Sequence, residues 1–336
     1  MVHYGMGKMG FSRNFDLQLL EAHFREHKGG VVASLLQNWA LPGDDAALSH
    51  PPRLRIAVRD SALHFYVAGQ RVAEIKSARG AIRLKLHVKY YQGLKKGSER
   101  AIAAGQEVIT ISDDELCHEN GEELARKWGE TAYTYSGGEK IFVDQLVAAN
   151  ANVVDVEMAL PGHKGDGGNS VAPRMDIVSV ATENDVPCLN FWEVKLASNS
   201  EIRSKGEKLH ILKQLQDYME WLSCDGRCEQ VCSAYRNTAG VLRKIASIVG
   251  KDERHPAIEC WERLIASPPA LARRIGLVIA NFDPRGMKNG SDRQAMMARS
   301  FDRRGHRNRL LEHGICVIEV SSKGDPKMRL PALAQP

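Results

Sequence analysis

The sequence lacks several features that define other classes of protein. No apolar run reaches the roughly 18 residues that a membrane-spanning helix needs. The opening residues, MVHYGMGKMG, contain no apolar segment of the kind found in secretory signals. Seven cysteines are too few for a secreted disulfide scaffold, and their number is odd. We therefore expect a cytoplasmic protein without membrane contact.

The composition is that of a globular protein, but its charge is unevenly distributed. Hydrophobic residues make up 43% and charged residues 26% of the 336 positions, which excludes a disordered or fibrous chain. The net charge is only +5, yet the segment 285–309 holds eight basic residues against two acidic ones. This segment indicates a polyanion as partner, the alternative being a solvated helix face.

The first 130 residues have the pattern of an α+β domain. An amphipathic helical pattern over 14–39 is interrupted at Gly29 and Gly30, and turn-forming residues fill 41–52. Alternating apolar and polar residues over 53–92 predict antiparallel strands, with a short turn at AGQ between two of them. A fifth strand at 106–111 and a helix at 113–128 complete this part, and we place a domain boundary near residue 130.

The second domain, 131–336, alternates helices and strands. The predicted helices are 139–150, 201–222 and the basic helix 292–313. The predicted strands are 153–160, 175–181, 188–197, 275–282 and 314–320, and a glycine-rich loop follows the first of them. This order predicts an α/β domain.

One strand of the second domain carries unexpected charges. Glu193 and Lys195 are two residues apart in an apolar run, so their side chains point the same way. Charges are rarely buried unless they are paired or bound to metal. Asp176 opens the preceding strand, so a hairpin can set two carboxylates side by side, as a Mg²⁺ or Mn²⁺ site requires. An adjacent lysine could orient or deprotonate a water, or stabilise charge, during metal-assisted phosphodiester hydrolysis.

These residues resemble a known signature. Asp176, Glu193 and Lys195 fit the D-x(n)-E-x-K pattern of the PD-(D/E)XK nuclease superfamily, and the order of the predicted elements is similar to its common core. Gln214 and Tyr218, on one face of the following helix, look like the Q-x-x-x-Y motif of the RecB-like branch. The resemblance implies a restriction-endonuclease-like fold preceded by the α+β domain.

The resemblance also implies an activity and roles for residues. The chain is expected to be a divalent-metal-dependent nuclease acting on DNA, with RNA left open, in restriction or phage defence. Asp176, Glu193, the carbonyl of Val194 and Glu139 would hold Mg²⁺ or Mn²⁺. Lys195, Gln214 and Tyr218 would complete the catalytic set. The alternative is a nucleic-acid-binding protein with an inactive nuclease fold. Nucleases that cut both strands commonly pair, so a homodimer or higher oligomer is compatible with this interpretation.

The same pattern occurs a second time, in the first domain. Asp60, Glu74 and Lys76 also fit D-x(n)-E-x-K. The surroundings of this copy are wrong, because Lys76 is followed by another strand and not by a helix. Its strand is of mixed polarity, where an exposed ion pair costs little. We therefore assign the site to the second copy.

Three supporting residues have structural alternatives. Glu139 is the fourth residue of S-x-x-E, so it could belong to a helix capping box with Ser136 instead of the site. Gln214 could be a solvated helix residue, and Tyr218 a core aromatic. Glu157 alternates with apolar residues in its strand, as a half-exposed strand residue would, and we do not assign it to the metal.

DNA contacts are expected from the basic helix and the glycine-rich loop. Arg299, Arg303, Arg307 and Arg309 could straddle a phosphate backbone, and Lys164 could reach it from the loop. Such contacts would position DNA without reading its sequence. The alternative for the arginines is a solvated amphipathic helix.

Three cysteines recur at four-residue intervals. Cys224, Cys228 and Cys232 could ligate an iron–sulfur cluster, as in some RecB-like nucleases, with Cys117 or Cys188 as the fourth ligand. The spacing is not C-x2-C, and cysteines near a helix end are more often small buried hydrophobes. We expect no cluster.

Overall fold

The computed structural model describes residues 10–46, 52–90, 108–111, 120–160, 163–164, 170–171, 174–203, 210–224, 226–286 and 288–333. The chain is mixed α/β, with one antiparallel sheet and one mixed sheet flanked by helices. None of the helices in these ranges is both long and apolar enough to cross a membrane.

The antiparallel sheet belongs to the first part of the chain, as predicted. Its strands are adjacent in chain order, and helices flank them on both sides in the sequence. The elements are α1 (Leu17–Glu26), α2 (Val31–Gln37), β1 (Arg55–Arg59), β2 (Ala62–Val67), β3 (Gln70–Ala78), β4 (Ala81–His87), β5 (Val108–Ile111) and α3 (Gly121–Thr134).

Tight turns fix the register of this sheet. Ala68 and Gly69 join β2 to β3, and both have positive φ, which is the two-residue turn whose twist matches that of the flanking strands. The AGQ turn is thereby confirmed. One face of the sheet is apolar and joins the core, where α1 and α3 pack against it. The opposite face carries polar and basic side chains.

The mixed sheet belongs to the second part. Its strand order is β12-β11-β10-β9-β6, with β6, β9 and β10 antiparallel and β10, β11 and β12 parallel. The strands are β6 (Val153–Ala159), β9 (Arg174–Glu183), β10 (Val186–Leu196), β11 (Ala270–Ala280) and β12 (Cys316–Val320), and a separate pair is formed by β7 (His163–Lys164) and β8 (Ser170–Val171). The helices are α4 (Gly138–Ala149), α5 (His210–Ser223), α6 (Arg227–Ile248), α7 (Pro256–Ala266), α8 (Lys288–Arg303) and α9 (His306–Glu312).

Three predicted helices have different bounds. In the range of the helix predicted at 201–222, the structure describes a separate 3-10 turn at Ser200–Ile202, capped by Asn199, and a helix over His210–Ser223, while 204–209 lie outside the described residues. The helix predicted at 292–313 is two helices, since Gly305 adopts a left-handed conformation (φ 69°) that ends the first one. The helix predicted at 113–128 is described from Gly121 to Thr134, and 112–119 lie outside the described residues.

Buried ion pairs connect the two sheets. Arg55 and Arg59, on β1, reach Asp144 on α4 at 2.9 Å and Asp155 on β6 at 2.8 Å. The Arg59 guanidinium also donates to the carbonyls of Val156 and Glu157. Removing one partner of such a buried pair destabilises the fold, because the other charge would be left buried and uncompensated. The first sheet is therefore fixed against the strand that borders the candidate site.

Candidate active site

The turn between β9 and β10 sets the carboxylates of the second D-x(n)-E-x-K copy side by side. Asn184 and Asp185 form a two-residue turn with positive φ at both positions. The ladder that follows from it pairs Ile177 with Trp192. Asp176 and Glu193 are the next residues in the same register, so their side chains share one face of the sheet. The hairpin prediction is thus confirmed for this pair of strands.

Lys195 is surrounded by acidic groups. Its ammonium lies 2.7 Å from Glu193 Oε1, 3.0 Å from Glu201 Oε2 and 3.7 Å from Glu139 Oε1. Burial opposes the charge on Lys195, but Glu193 and Glu139 outweigh it and raise the pKa of the ammonium above its usual range. Burial raises the pKa of Glu193, and Asp176 raises it further, while Lys195 and Gln214 lower it.

Asp176 is held by a backbone amide and by a second lysine. Its Oδ2 accepts from the Val194 N–H at 2.9 Å, and its Oδ1 accepts from Lys140 Nζ at 3.0 Å. The same ammonium bonds Glu157 Oε1 on β6, so Lys140 bridges two carboxylates. Burial opposes this charge too, but Asp176 and Glu157 raise the pKa of Lys140.

Glu157 has an unusual backbone. Its φ is 53°, in the left-handed region that non-glycine residues rarely enter. Its neighbours Val156 and Met158 pair with Ile177 and Met175, so Glu157 lies across from Asp176 in the register. Burial raises the pKa of the Glu157 carboxyl, against the effect of Lys140. Backbone strain beside a cluster of charges is typical of functional sites.

The residues at this position fit a hard divalent cation. Glu193 Oε2 is buried and makes no hydrogen bond of normal geometry within the described residues, although the Gln214 amide is near enough to lower the pKa of this carboxyl. A cation would satisfy this oxygen. The N–H of Val194 points toward Asp176, and in a strand the carbonyl of the same residue points to the same side. No three His, Cys, Asp or Glu side chains of the described ranges are arranged to hold a metal ion. Two carboxylates, one carbonyl and water are the ligands that Mg²⁺ commonly uses.

Glu139 lies beside Lys195 and not in a capping box. Its Oε2 accepts from Asn199 Nδ2 at 3.0 Å and from the Leu196 N–H at 3.4 Å. Helix α4 is capped by Gly137 without a side-chain bond, and Ser136 Oγ bonds Ala132 O instead. The capping-box alternative is wrong, because α4 begins one residue too late for Ser136 to cap it.

Gln214 and Tyr218 are placed differently from each other. Gln214 Nε2 donates to the Arg174 carbonyl at 3.3 Å, and its amide lowers the pKa of Glu193. Tyr218 is fully buried, and its hydroxyl donates to Met158 O at 3.4 Å. Gln214 therefore adjoins the carboxylates directly, whereas Tyr218 supports the backbone next to Glu157.

The predicted DNA-contacting residues differ in their surroundings. Arg299 and Arg303 are exposed on α8, whose Gln294 bonds Ser198 just beyond β10. Arg307 lies 3.3 Å from Glu319 on β12, and Arg309 is half-buried on α9. Lys164 forms part of β7, and its side chain lies outside the described part of the chain. Gly305 separates the first two arginines from the last two.

The cysteine triplet is split by exposure. Cys224 and Cys228 are exposed and Cys232 is half-buried. Burial raises the pKa of Cys232 to about 12, so its metal-binding thiolate form is disfavoured. Cys188 is buried in β10, and Cys117 lies outside the described residues.

Sequence reasoning missed Lys140 and Glu201 and set Glu157 aside. Lys140 directly follows Glu139 at the start of α4, and this adjacency of opposite charges was its only signal. Glu201 contacts Lys195 because the chain turns at Ser200–Ile202 instead of continuing as a helix. The role of Glu157 depends on a register shift in β6, which has no local signal.

The chain matches no protein-family model, no curated protein and no solved structure. Any functional conclusion therefore depends on the geometry described above.

Proposed function

We propose that the chain is a divalent-metal-dependent nuclease of PD-(D/E)XK type that hydrolyses phosphodiester bonds in DNA. The observation that carries the proposal is the register of β9 and β10, which sets Asp176 beside Glu193 and leaves Glu193 Oε2 without a hydrogen bond of normal geometry within the described residues. The strand arrangement supports the proposal as well, because β6, β9 and β10 are antiparallel neighbours and β11, which follows after helices α5, α6 and α7, is parallel to β10. Asp176, Glu193 and the Val194 carbonyl would hold the cation.

Mg²⁺ or Mn²⁺ bound there would supply Lewis-acid stabilisation of the phosphate charge and lower the pKa of a water. Hydrolysis adds this water to phosphorus and breaks one P–O ester bond, and the departing oxygen takes up a proton. The contacts of Lys195 with three carboxylates favour a role as a fixed positive charge and hydrogen-bond donor. Glu139 and Glu201 hold its ammonium toward Glu193.

One observation favours a second candidate, a nucleic-acid-binding protein with an inactive nuclease fold. Lys140 and Lys195 already neutralise carboxylates of the cluster, as they would in a purely structural network of ion pairs. The two candidates differ in their response to metal. Mn²⁺ should change the affinity for DNA if Asp176 and Glu193 bind it, whereas a binding protein should respond only to salt.

Cleavage by the purified chain tests the proposal. Linear duplex, plasmid, single-stranded DNA and RNA would be offered with Mg²⁺, Mn²⁺ or EDTA. Lys195→Ala should reduce cleavage by about 10³-fold, because it removes a charge aimed at the reacting phosphate. Lys76→Ala, in the first copy of the motif, is the matched control and should cut at the wild-type rate. Cleavage that survives Lys195→Ala, or that needs no metal, would refute the assignment.

A further inference from the structure

A cleft lies between the basic face of the first sheet and the carboxylates of the second. Its volume is about 380 Å³. One wall is formed by β2, β3 and β4, and the other includes Glu157, Ala159 and Arg174. Glu157 belongs to both the cleft and the carboxylate cluster, since Lys140 joins it to Asp176. Through Glu157 the cleft therefore borders the candidate active site.

The cleft is positively charged. Arg71, Lys85, Lys89 and Arg174 line it, against Glu74 and Glu157. Glu74 does not cancel this charge, because His64, Arg71, Lys76 and Lys85 all lie within 3.3–3.7 Å of its carboxylate. The side chains of Arg71 and Lys85 keep 50% and 36% of their surface exposed. Their charges are thus available to an anion in the cleft.

An aromatic ring stands at the end of the cleft where Lys89 lies. Tyr135 is 57% exposed, which is unusual for so large a side chain. The Lys89 ammonium lies 5.2 Å from the centre of its ring, and Gln70, a lining residue, donates to the Tyr135 carbonyl. Cations that track a phosphate backbone, combined with an exposed ring on which a base can stack, are typical of single-strand binding.

We propose that this cleft binds a single strand of nucleic acid and leads it to the carboxylates, with phosphates against Arg71, Lys85 and Lys89 and a base stacked on Tyr135. The inference rests on the proposed nuclease function. Charge and stacking select this occupant, because the phosphodiester backbone complements the cations and the unpaired bases of a single strand can stack on the exposed Tyr135 ring.

The turn between β2 and β3 lies between the cleft and Lys140 of the carboxylate cluster. A side chain at Gly69 would come within 2.6 Å of Lys140, because the turn lies directly on the aliphatic part of that lysine. The turn therefore holds the ammonium that bridges Asp176 and Glu157. A strand bound along β3 and β4 would contact the same structural unit that positions this cation.

Fluorescence anisotropy with a labelled single-stranded oligonucleotide in EDTA tests the proposal without cleavage. The Arg71→Ala/Lys85→Ala double variant should bind at least tenfold more weakly, and the slope of log K against log salt should fall by about 1.4, as expected for two lost phosphate contacts on a single strand. Arg83→Ala is the control, since Arg83 is an exposed cation on β4 outside the cleft, and it should bind like the wild type.

Three further variants, at two positions, keep the test independent of folding. Lys89→Ala leaves the Glu74 cluster intact and should weaken binding severalfold. Tyr135→Ala should weaken it about tenfold by removal of stacking, and Tyr135→Phe should restore it. Unchanged affinity and salt slope in the double variant would overturn the inference, as would tighter binding of duplex than of single strand.

Cleavage by the same variants separates this inference from the proposed function. If the wild type cuts DNA and Lys195→Ala does not, but the cleft variants bind normally, only the strand path is wrong. If the cleft variants lose binding and no variant or wild type cuts any substrate, the nuclease proposal fails while the cleft still binds a strand.

Discussion

The two D-x(n)-E-x-K copies have the same residues and opposite surroundings. Glu74 of the first copy is one carboxylate among four basic side chains, whereas Lys195 of the second copy is one ammonium among three carboxylates. Asp60 lies exposed in the turn after β1 and bonds Ser12, but Asp176 is in register with Glu193. The motif alone therefore does not define a site. Strand register and the sign of the surrounding charge do.

The contrast places two regions of opposite charge next to each other. The first sheet has surplus positive charge, which suits an anion, and the second has carboxylates and an unsatisfied oxygen, which suit a cation. A phosphodiester with its divalent metal needs both. Arg59 and Glu157 lie where the two regions meet.

The largest expected effect comes from the connection between the regions. Arg59→Met leaves Asp155 buried without its main partner, and breaking such a pair typically costs about 3–5 kcal/mol. We expect that loss in the free energy of unfolding, measured in urea. Arg83→Ala is the exposed control and should change it by less than about 0.5 kcal/mol. Equal stability of the two variants would show that the sheets are not joined through Arg59.

Titration of Glu74 sharpens the description of the first region. The hydrogen bond from His64, together with the charges of His64, Lys76 and Lys85, lowers the pKa of Glu74 to about 2 against the opposing effect of burial. A depressed carboxyl pKa stabilises the fold above its unfolded value of 4.5, and this stability is lost as the pH falls toward 2. The wild type should therefore lose about 1–2 kcal/mol of its free energy of unfolding at Glu74 as the pH falls from 4.5 to 2, after allowance for solvent screening. Glu74→Gln has no carboxyl to protonate and should not show this loss. The measurement is the free energy of unfolding of both proteins as a function of pH. A difference between them that stays constant over this pH range would contradict the prediction.

Lys140 tests the charge balance of the second region. Lys140→Gln removes the ammonium that bridges Asp176 and Glu157, so a competing positive charge disappears from the candidate cation site. Mn²⁺ should bind about tenfold more tightly, by calorimetry, because nearby like charges repel. Lys213→Gln, an exposed lysine on α5, should leave the affinity unchanged. Weaker Mn²⁺ binding in Lys140→Gln would mean that this lysine positions the ligands and does not compete with the metal.

The smallest effect is expected at Tyr218. Its hydroxyl makes one long bond, to Met158 O, in the core below the site. Tyr218→Phe should lower the free energy of unfolding by about 1 kcal/mol and change cleavage by less than about threefold. A large loss of activity with normal stability would instead place Tyr218 among the catalytic residues.

Much of the architecture was predictable because it follows from local patterns. The alternation of β3 and β4, the hairpin at Ala68 and Gly69, and the apolar strand that contains Glu193 and Lys195 were all visible in the sequence. The break at Gly305 was visible too, but the amphipathic pattern on both sides of it concealed the end of α8. The 3-10 turn at Ser200–Ile202 was concealed in the same way, since the Asn199 cap competes with a continuous helical pattern.

The remaining features depend on contacts between distant segments. Lys140 meets Glu157 and Asp176 only because β6 shifts register and Glu157 adopts a positive φ. The cleft exists only because Arg59 fixes the first sheet against β6. Neither the shift nor the docking has a periodic or turn signal in the sequence. Both are consequences of tertiary packing.

The central claim is that the second copy of the motif binds a divalent cation and the first does not. Calorimetric titration of Mn²⁺ into the wild type, Asp176→Asn and Asp60→Asn tests it most directly. The account predicts binding by the wild type, loss of that binding in Asp176→Asn, and wild-type affinity in Asp60→Asn. Binding that persists in Asp176→Asn, or no binding by the wild type, would contradict it.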